Sequence, residues 1–179
     1  MTCPRFIFLF IILFVSYQLS AQQYKAIVGN VHFFSSAPVE DIEATNKKAS
    51  SVLDLSTGNI VFSVPVKQFS FEKSLMKEHF NENYLESDKY PKIIFTGKMS
   101  TSNLQVGNNQ LTIKGQMNLH GVKKEIEVSG SMDYAQNMII AHAEFLVNLA
   151  DYKIKIPKAV FYNIAEEIAI TVDFTYEKI

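Results

Sequence analysis

Apolar and polar residues alternate with a period of two through most of this chain from residue 23 onward. In the segment LTIKGQMNL, residues 111–119, every odd-numbered residue is apolar or glycine and every even-numbered residue is polar. Successive side chains of an extended strand point to opposite faces, so the pattern leaves each segment one apolar face to bury. The alternation therefore predicts a mainly β protein built from half-buried strands.

Segments of this kind recur about eight times, which is the number of strands we expect. They include AIVGNVHFF at 26–34, KIIFTGKM at 92–99, MIIAHAEFLVNL at 138–149 and EIAITVDF at 167–174. In the first of them the alternation places Ile27 on the inward face. Antiparallel strands with one apolar face either close into a barrel or stack as a sandwich. Roughly eight strands closing up-and-down leave room inside for side chains or for one small ligand.

Two stretches depart from the alternation. Residues 35–49 are polar and contain a proline, so they predict a strand edge or bend followed by a connection. Residues 71–87 place Leu75, Met76 and Phe80 at helical spacing, which predicts one short amphipathic helix. This helix either presents those side chains to the barrel interior or packs as a plain plug on an open end.

The amino terminus has the composition of a secretory signal peptide. Arg5 precedes an unbroken apolar run at 6–15, and the small pair Ser20–Ala21 follows. The run is shorter than the roughly 20 apolar residues that span a bilayer, so a membrane anchor is the less favoured alternative. We therefore expect residues 1–21 to be a signal peptide and residues 22–179 to be one exported domain, periplasmic or secreted, with no transmembrane segment.

The charge balance and the absence of known catalytic motifs argue against several classes of function. The chain carries 17 basic and 18 acidic residues, and this balance argues against a nucleic-acid binder. The sequence has no nucleophile elbow, phosphate loop, dinucleotide fingerprint or zinc-protease motif, so we expect no enzyme and no catalytic residues. His79 and Glu82 fit one helix face, but two ligands are too few for a metal site, and we expect none.

Two motifs that follow the predicted helix resemble a known family. The first is YPKIIF at Tyr90–Phe95, and the second is LTIKGQMNLHGVKK at Leu111–Lys124. In this order and spacing they resemble the YceI-like family of exported lipid-binding proteins. The resemblance implies an extended, eight-stranded, lipocalin-like antiparallel barrel with one short helix. It also implies an apolar cavity that holds a polyisoprenoid or a similar long-chain amphiphilic lipid, with no cofactor other than that lipid.

Taken with the resemblance, the sequence predicts an exported protein that binds a long-chain lipid for transport, storage or sequestration in the cell envelope. A shorter fatty acid or an amide is an alternative ligand, and an enzyme acting on a lipid in the same cavity is the least favoured alternative. The competing hypothesis is a structural or stress-related envelope protein whose barrel is filled and holds no ligand. The sequence is compatible with a monomer or with a homodimer.

The residues expected to line the cavity are inward-facing apolar side chains of the strands and of the helix. They are Val31, Phe33, Phe62, Val64, Phe69, Phe71, Leu75, Met76, Phe80, Phe95, Ile113, Met117, Leu119, Phe145, Val147 and Phe174. In a filled barrel the same residues would form an ordinary hydrophobic core.

Two further features have two interpretations each. Inward glycines either permit barrel curvature or leave room for a ligand chain. These glycines are Gly29, Gly97, Gly115 and Gly130. His120, at the turn of a predicted hairpin, is either an ordinary turn residue or a group near a ligand head group at the barrel mouth.

Overall fold

The computed structural model describes residues 22–36, 41–156 and 165–179. The expected signal peptide, residues 1–21, lies outside these ranges. Within them the chain forms ten strands. These are β1 (Gln23–Ser35), β2 (Ile42–Asn46), β3 (Ser50–Asp54), β4 (Asn59–Pro65), β5 (Phe69–Ser70), β6 (Lys92–Met99), β7 (Gly107–Leu119), β8 (Val122–Ala135), β9 (Met138–Asn148) and β10 (Glu167–Lys178).

The described strands close into an antiparallel barrel. β1 pairs with β10 along one side and with β2 and β3 along the other, so the first and last strands meet. Because β2 and β3 lie one after the other beside β1, they fill one strand position, and β5 is only a short edge on β2. The strand positions around the barrel are β1, β2 with β3, β4, β6, β7, β8, β9 and β10. The predicted eight-stranded antiparallel barrel is confirmed.

The predicted helix is present, but it is shorter and less regular than the sequence suggests. α1 covers Ser74–His79, and the chain continues through a π-helical turn at Phe80–Tyr84. The N–H of Leu85 closes that turn by donating to the carbonyl oxygen of Phe80 over 2.9 Å. Short 3-10 helices lie at Val66–Gln68 and Leu149–Tyr152. Of the helices in the described part of the chain, none has the length and apolar character needed to cross a membrane.

A β-bulge near the start of β1 changes which residues face inward. The pairing of β1 with β10 shifts register between Ala26 and Val28. The extra residue, Ile27, is 57% exposed, whereas Ala26 packs against the core. The prediction that Ile27 faces inward is wrong, because one inserted residue reverses the alternation on its amino-terminal side.

The polar stretch at 35–49 contributes a barrel strand where the sequence predicted mainly a bend and a connection. Ala44 of β2 is buried in the core, and Asn46 at the end of β2 is fully buried. The Asn46 amide donates to the carbonyl oxygen of Pro65 over 2.7 Å, and its side-chain oxygen accepts from the N–H of Lys48 over 2.8 Å. These hydrogen bonds of the Asn46 side chain replace backbone hydrogen bonds that are missing where the chain passes from β2 to β3. They allow a buried polar residue to form part of the barrel wall.

The two ends of the barrel differ. At the closed end, large side chains fill the interior and are almost inaccessible to solvent: Tyr24, Leu53, Ile60, Ile139 and Tyr176. The hydroxyl of Tyr176 donates to Oγ of Ser51 over 2.8 Å in this core. The opposite end, called the open end here, carries α1, the turn between β7 and β8, and the 3-10 helix at Leu149–Tyr152.

Candidate functional site

A cavity of about 370 Å³ occupies the barrel between the closed-end core and α1. This volume lies within the roughly 300–1,000 Å³ typical of small-molecule sites. Side chains from most of the strands and from α1 form its wall, and the described lining residues are predominantly apolar. The cavity is therefore suited to an apolar ligand.

The structure brings nearly all of the predicted site residues together around this one cavity. Those that line it are Val31, Phe33, Phe62, Val64, Phe69, Phe71, Met76, Phe80, Phe95, Ile113, Met117, Leu119, Phe145, Val147 and Phe174. They come from distant parts of the chain, and the closure of the barrel places them on a common interior surface. Whether they contact a ligand stays a prediction.

Leu75 is the exception among the predicted lining residues. Its side chain is 59% exposed and takes no part in the cavity wall, whereas Met76 and Phe80 do. Consecutive residues of a helix point about 100° apart, and in this segment the inward side is the one that carries Met76 and Phe80, which leaves Leu75 towards solvent. Placing Leu75 at the lumen is a wrong prediction, because the sequence does not say which of two adjacent apolar residues faces inward.

Several lining residues were missing from the predicted site. Those with large apolar side chains are Ile42, Leu85, Ile93, Leu111, Ile126, Val128, Met132, Leu149, Ile154, Ile168, Ile170 and Val172. Most of the strand residues in this list can be predicted from the sequence by following the same period-two alternation along the whole of each strand. Leu85 and Ile154 lie outside the strands, and no periodicity marks them as interior residues.

A cluster of four aromatic rings attaches the helical segment to the barrel wall. Phe80 lies 5.5 Å from Phe33, 5.4 Å from Phe69 and 5.0 Å from Phe71, measured between ring centroids. Aromatic pairs of this kind contribute about 0.5–1.5 kcal/mol beyond the area that they bury. We call residues 74–85 the lid segment, because Met76, Phe80 and their neighbours in it cover one side of the cavity.

Three of the four inward glycines lie against aromatic rings, whereas Gly130 lies against the backbone carbonyl of His142 and Ala143. Gly97 and Gly115 pair directly across β6 and β7. A Cβ added at Gly97 would lie 2.5 Å from Cε1 of Phe95, and one added at Gly115 would lie 2.9 Å from Cζ of the same ring. A Cβ at Gly29 would likewise lie 2.6 Å from Cε1 of Phe174. These glycines let two rings lie flat against the wall of the cavity.

Three polar side chains at the cavity lie near the open end, and Ser131 of β8 borders the cavity farther from it. Ser35 ends β1, and His79 and Tyr84 belong to the lid segment. Partial burial raises the pKa of the Tyr84 phenol above its ordinary value, so this group is a neutral hydroxyl. His142 also borders the cavity, but its imidazole lies on the outer surface with Nδ1 2.7 Å from Oδ1 of Asp173. The arrangement provides hydrogen-bonding groups at the open end of a predominantly apolar space.

His120 lies at the open end but is engaged by other residues and does not line the cavity. Its Nε2 is 2.7 Å from Oε2 of Glu86, and its Nδ1 is 3.1 Å from the carbonyl oxygen of Tyr152. This geometry therefore does not support a contact between His120 and the head group of a ligand. In the described ranges, no group of three or more His, Cys, Asp or Glu side chains is placed to hold a metal ion.

A family model for the YceI-like domain matches residues 17–176 of the 179-residue chain. The chain belongs to the YceI-like family. The match covers the described barrel from β1 to near the end of β10, so the family assignment and the resemblance drawn from the two motifs agree. Among curated protein sequences, none matches this YceI-like chain significantly.

Solved structures share the YceI-like fold at low sequence identity. A polyisoprenoid-binding domain from Saccharophagus degradans, implicated in plant cell wall breakdown, has a TM-score of 0.77 and 15% identity, covering 87% of this chain and 98% of that one. BcnA from Burkholderia cenocepacia has a TM-score of 0.70 and 14% identity, with 82% and 95% covered. A YceI protein from Campylobacter jejuni has a TM-score of 0.64 and 14% identity, with 80% and 90% covered. These similarities establish the fold.

Proposed function

We propose that this YceI-like protein is an exported binding protein that holds a polyisoprenoid or a similar long-chain amphiphilic lipid in its barrel, for transport, storage or sequestration in the cell envelope. The observation that carries the proposal is the apolar cavity of about 370 Å³ between the closed-end core and the lid segment. The Saccharophagus degradans domain with the same fold is described as polyisoprenoid-binding, which supports the ligand class.

Affinity in such a site comes mainly from burying hydrocarbon. Each CH₂ removed from water contributes roughly 0.8 kcal/mol, and an apolar wall offers few groups that would discriminate between similar chains. The wall around Phe145, Val172 and Phe174 is suited to the tail of the lipid. The lipid head group then lies near Ser35, His79 and Tyr84 at the open end, where hydrogen bonds are available.

The proposed location follows from the amino-terminal sequence. The apolar run at 6–15 and the small residues that follow it support export of the chain by a signal peptide. Periplasmic and secreted locations both fit this proposal. The proposed role is binding without catalysis, and the bound lipid is the sole cofactor that it requires.

Native mass spectrometry of the protein exported by a bacterial host tests the proposal directly. We expect a discrete additional mass that organic solvent releases and that fragmentation identifies as a prenyl or acyl chain. Protein stripped of lipid should bind a long polyprenyl alcohol more tightly than a short prenyl alcohol with the same head group, because fewer CH₂ groups are buried in the short one. An unliganded mass that does not change with polyprenyl alcohols or fatty acids contradicts the proposal and favours the filled-barrel hypothesis.

A further inference from the structure

A hydrogen-bonded contact between a glutamate and a histidine at the open end joins the end of the lid segment to the barrel wall. Glu86 directly follows Leu85, the last residue of the lid segment, and His120 forms the turn between β7 and β8. The two residues are 34 positions apart in the chain, yet Nε2 of His120 lies 2.7 Å from Oε2 of Glu86. The His120 side chain is only 11% exposed and that of Glu86 is 44% exposed, so water screens this pair less than an ordinary surface pair.

Both nitrogens of the His120 ring face acceptors. Nδ1 lies 3.1 Å from the carbonyl oxygen of Tyr152, which has no proton to donate. An ionised Glu86 carboxylate also only accepts. A neutral imidazole carries one N–H, whereas the imidazolium carries two, so only the protonated ring donates to both partners at once. The geometry at His120 therefore fits the charged form of the side chain.

The backbone at both partners is in the left-handed region. Glu86 has a φ of 42° and His120 a φ of 52°, although neither is a glycine. Among residues other than glycine, Asn, Asp and His adopt this conformation more often than Glu does, and such strain persists only where surrounding contacts maintain it. Glycine or asparagine would be less strained at both positions. The contact between the two side chains gives a physical reason for a glutamate and a histidine here.

The side chains around the pair connect it to the cavity. Leu85 is buried in a cluster with Met117 and Leu119 of β7, and all three line the cavity. The ring of Tyr90 packs edge-on against His120, with 4.7 Å between ring centroids. Loss of the pair would loosen the carboxyl-terminal end of the lid segment, while the Phe80 ring cluster retains its middle.

We propose that Glu86 and His120 form a latch that holds the lid segment over the cavity and opens as the imidazole loses its proton, so that bound lipid leaves faster at higher pH. The inference rests on the proposed function, since it concerns release of a lipid from the same cavity. Deprotonation removes one N–H and the positive charge. The latch is thus closed when His120 is protonated and weakens as the pH rises.

Three lysines on the elements around His120 have a partner of opposite charge or lie on an aromatic face. Lys124 binds Asp151, next to Tyr152, and Lys67 binds Asp88 on the chain leading away from Glu86. Lys89 lies over the Tyr90 ring, with Nζ 5.0 Å from the centroid, and its positive charge also interacts with Glu86. Histidine is the side-chain type that ordinarily changes charge between about pH 5 and 8. His79, in the lid segment, is the second histidine in this region and is tested separately.

Two readouts test the latch in the full chain. The first is release of N-phenyl-1-naphthylamine, an apolar fluorescent probe that keeps one charge state across this pH range. The second is hydrogen exchange at the amides of Leu85 and Ser87, which bond to the carbonyls of Phe80 and Asn81. Exchange rates are corrected for the intrinsic effect of pH. In the wild type we expect both rates to rise about tenfold between pH 5.5 and 8.5, the size expected for losing one charged hydrogen bond.

His120→Gln should remove this pH dependence and leave both rates near their high-pH values. Glu86→Gln, which lacks the carboxylate charge, should act in the same direction and serves as the second variant if His120→Gln does not fold. His32→Gln is the matched control, because His32 pairs with Glu43 at 3.2 Å on the outer wall, away from the lid segment. It should keep the wild-type pH profile.

The inference is overturned if a folded His120→Gln or Glu86→Gln protein keeps the wild-type pH profile of exchange at Leu85 and Ser87. It is also overturned if His79→Gln, rather than His120→Gln, abolishes that profile. Absence of probe and lipid binding in all proteins, including the wild type, would instead count against the proposed function. Hydrogen exchange needs no ligand, so it still decides whether the latch exists.

Discussion

Phe80 of the lid segment stacks on Phe33 of β1 with 5.5 Å between ring centroids and 15° between ring planes. This contact joins the lid segment to the carboxyl-terminal half of the first strand. Phe33 also contacts Phe69 and Phe71. The ring of Phe80 on the lid segment is therefore surrounded by three rings that lie on or near the barrel wall. The stacking makes Phe80 the main apolar anchor between the lid segment and the barrel.

Replacing Phe80 with alanine should therefore lower the free energy of unfolding by about 2–3 kcal/mol, below the full value for a completely buried phenylalanine because Phe80 is half-buried. Urea unfolding followed by circular dichroism measures the change. Leu75→Ala, on the exposed side of the same helix, is the matched control and should change stability by no more than about 0.5 kcal/mol. Equal losses in the two variants would contradict the anchoring role of Phe80.

Filling the cavity should abolish lipid binding without preventing folding. Ala143 of β9 lines the cavity, and a phenylalanine there would occupy space that the proposed ligand needs. We expect Ala143→Phe to weaken binding of a polyprenyl alcohol at least tenfold in a fluorescence displacement assay, the loss expected from about two CH₂ groups left unburied. Leu146→Phe adds bulk to the outer face of the same strand, where the side chain is 64% exposed, and should bind as the wild type does. Unchanged binding in folded Ala143→Phe would place the ligand elsewhere.

Gly115 should tolerate no side chain. A Cβ there would lie 2.3 Å from the carbonyl oxygen of Thr96 and 2.4 Å from Cα of Gly97, which are backbone atoms that cannot rotate away. We expect Gly115→Ala to lower the free energy of unfolding by about 2 kcal/mol or more, through strain in the strand pairing. Gly107→Ala separates crowding from backbone strain, because that site is open but has a φ of 95°. It should lose only about 1 kcal/mol, and urea unfolding measures both changes.

Alkaline pH should unfold the closed end. Burial, together with a hydrogen bond to Tyr134, raises the pKa of Tyr24 from 10.0 to about 12. Burial also raises the pKa of Tyr176, which donates to Ser51. The folded state favours the neutral phenols, so the contribution of Tyr24 is complete below pH 10 and is lost as the pH rises through 12, and that of Tyr176 is lost at higher pH.

The free energy of unfolding should therefore fall between pH 10 and 12, and Tyr24→Phe should make that fall less steep. Urea unfolding at a series of pH values measures the slope. Ile139→Val, in the same buried core and without a titratable group, is the control and should keep the wild-type slope. A wild-type slope in Tyr24→Phe would mean that the phenol of Tyr24 is accessible to water before the barrel unfolds.

The alternation in the sequence determined the strands and most of the interior surface. A strand must send successive side chains to opposite faces, so the parity of Ile113, Phe145 and Phe174 specifies the side of the wall on which each lies. This rule is local, and it holds as long as no residue is inserted into the strand. The bulge at Ile27 is a position where this rule fails. One extra residue reverses which residues face inward, and the composition of the segment does not reveal that residue.

Features that depend on contacts between distant segments were decided only by the tertiary structure. The choice of Met76 over Leu75 as the inward residue follows from the ring cluster on which the helix rests, and Leu85 is interior because the chain turns back over β7. The pairing of Glu86 with His120 likewise requires the barrel to close and the lid segment to reach the β7–β8 turn. Periodicity states which way a side chain points within its own element, whereas these contacts depend on where each element lies relative to the others.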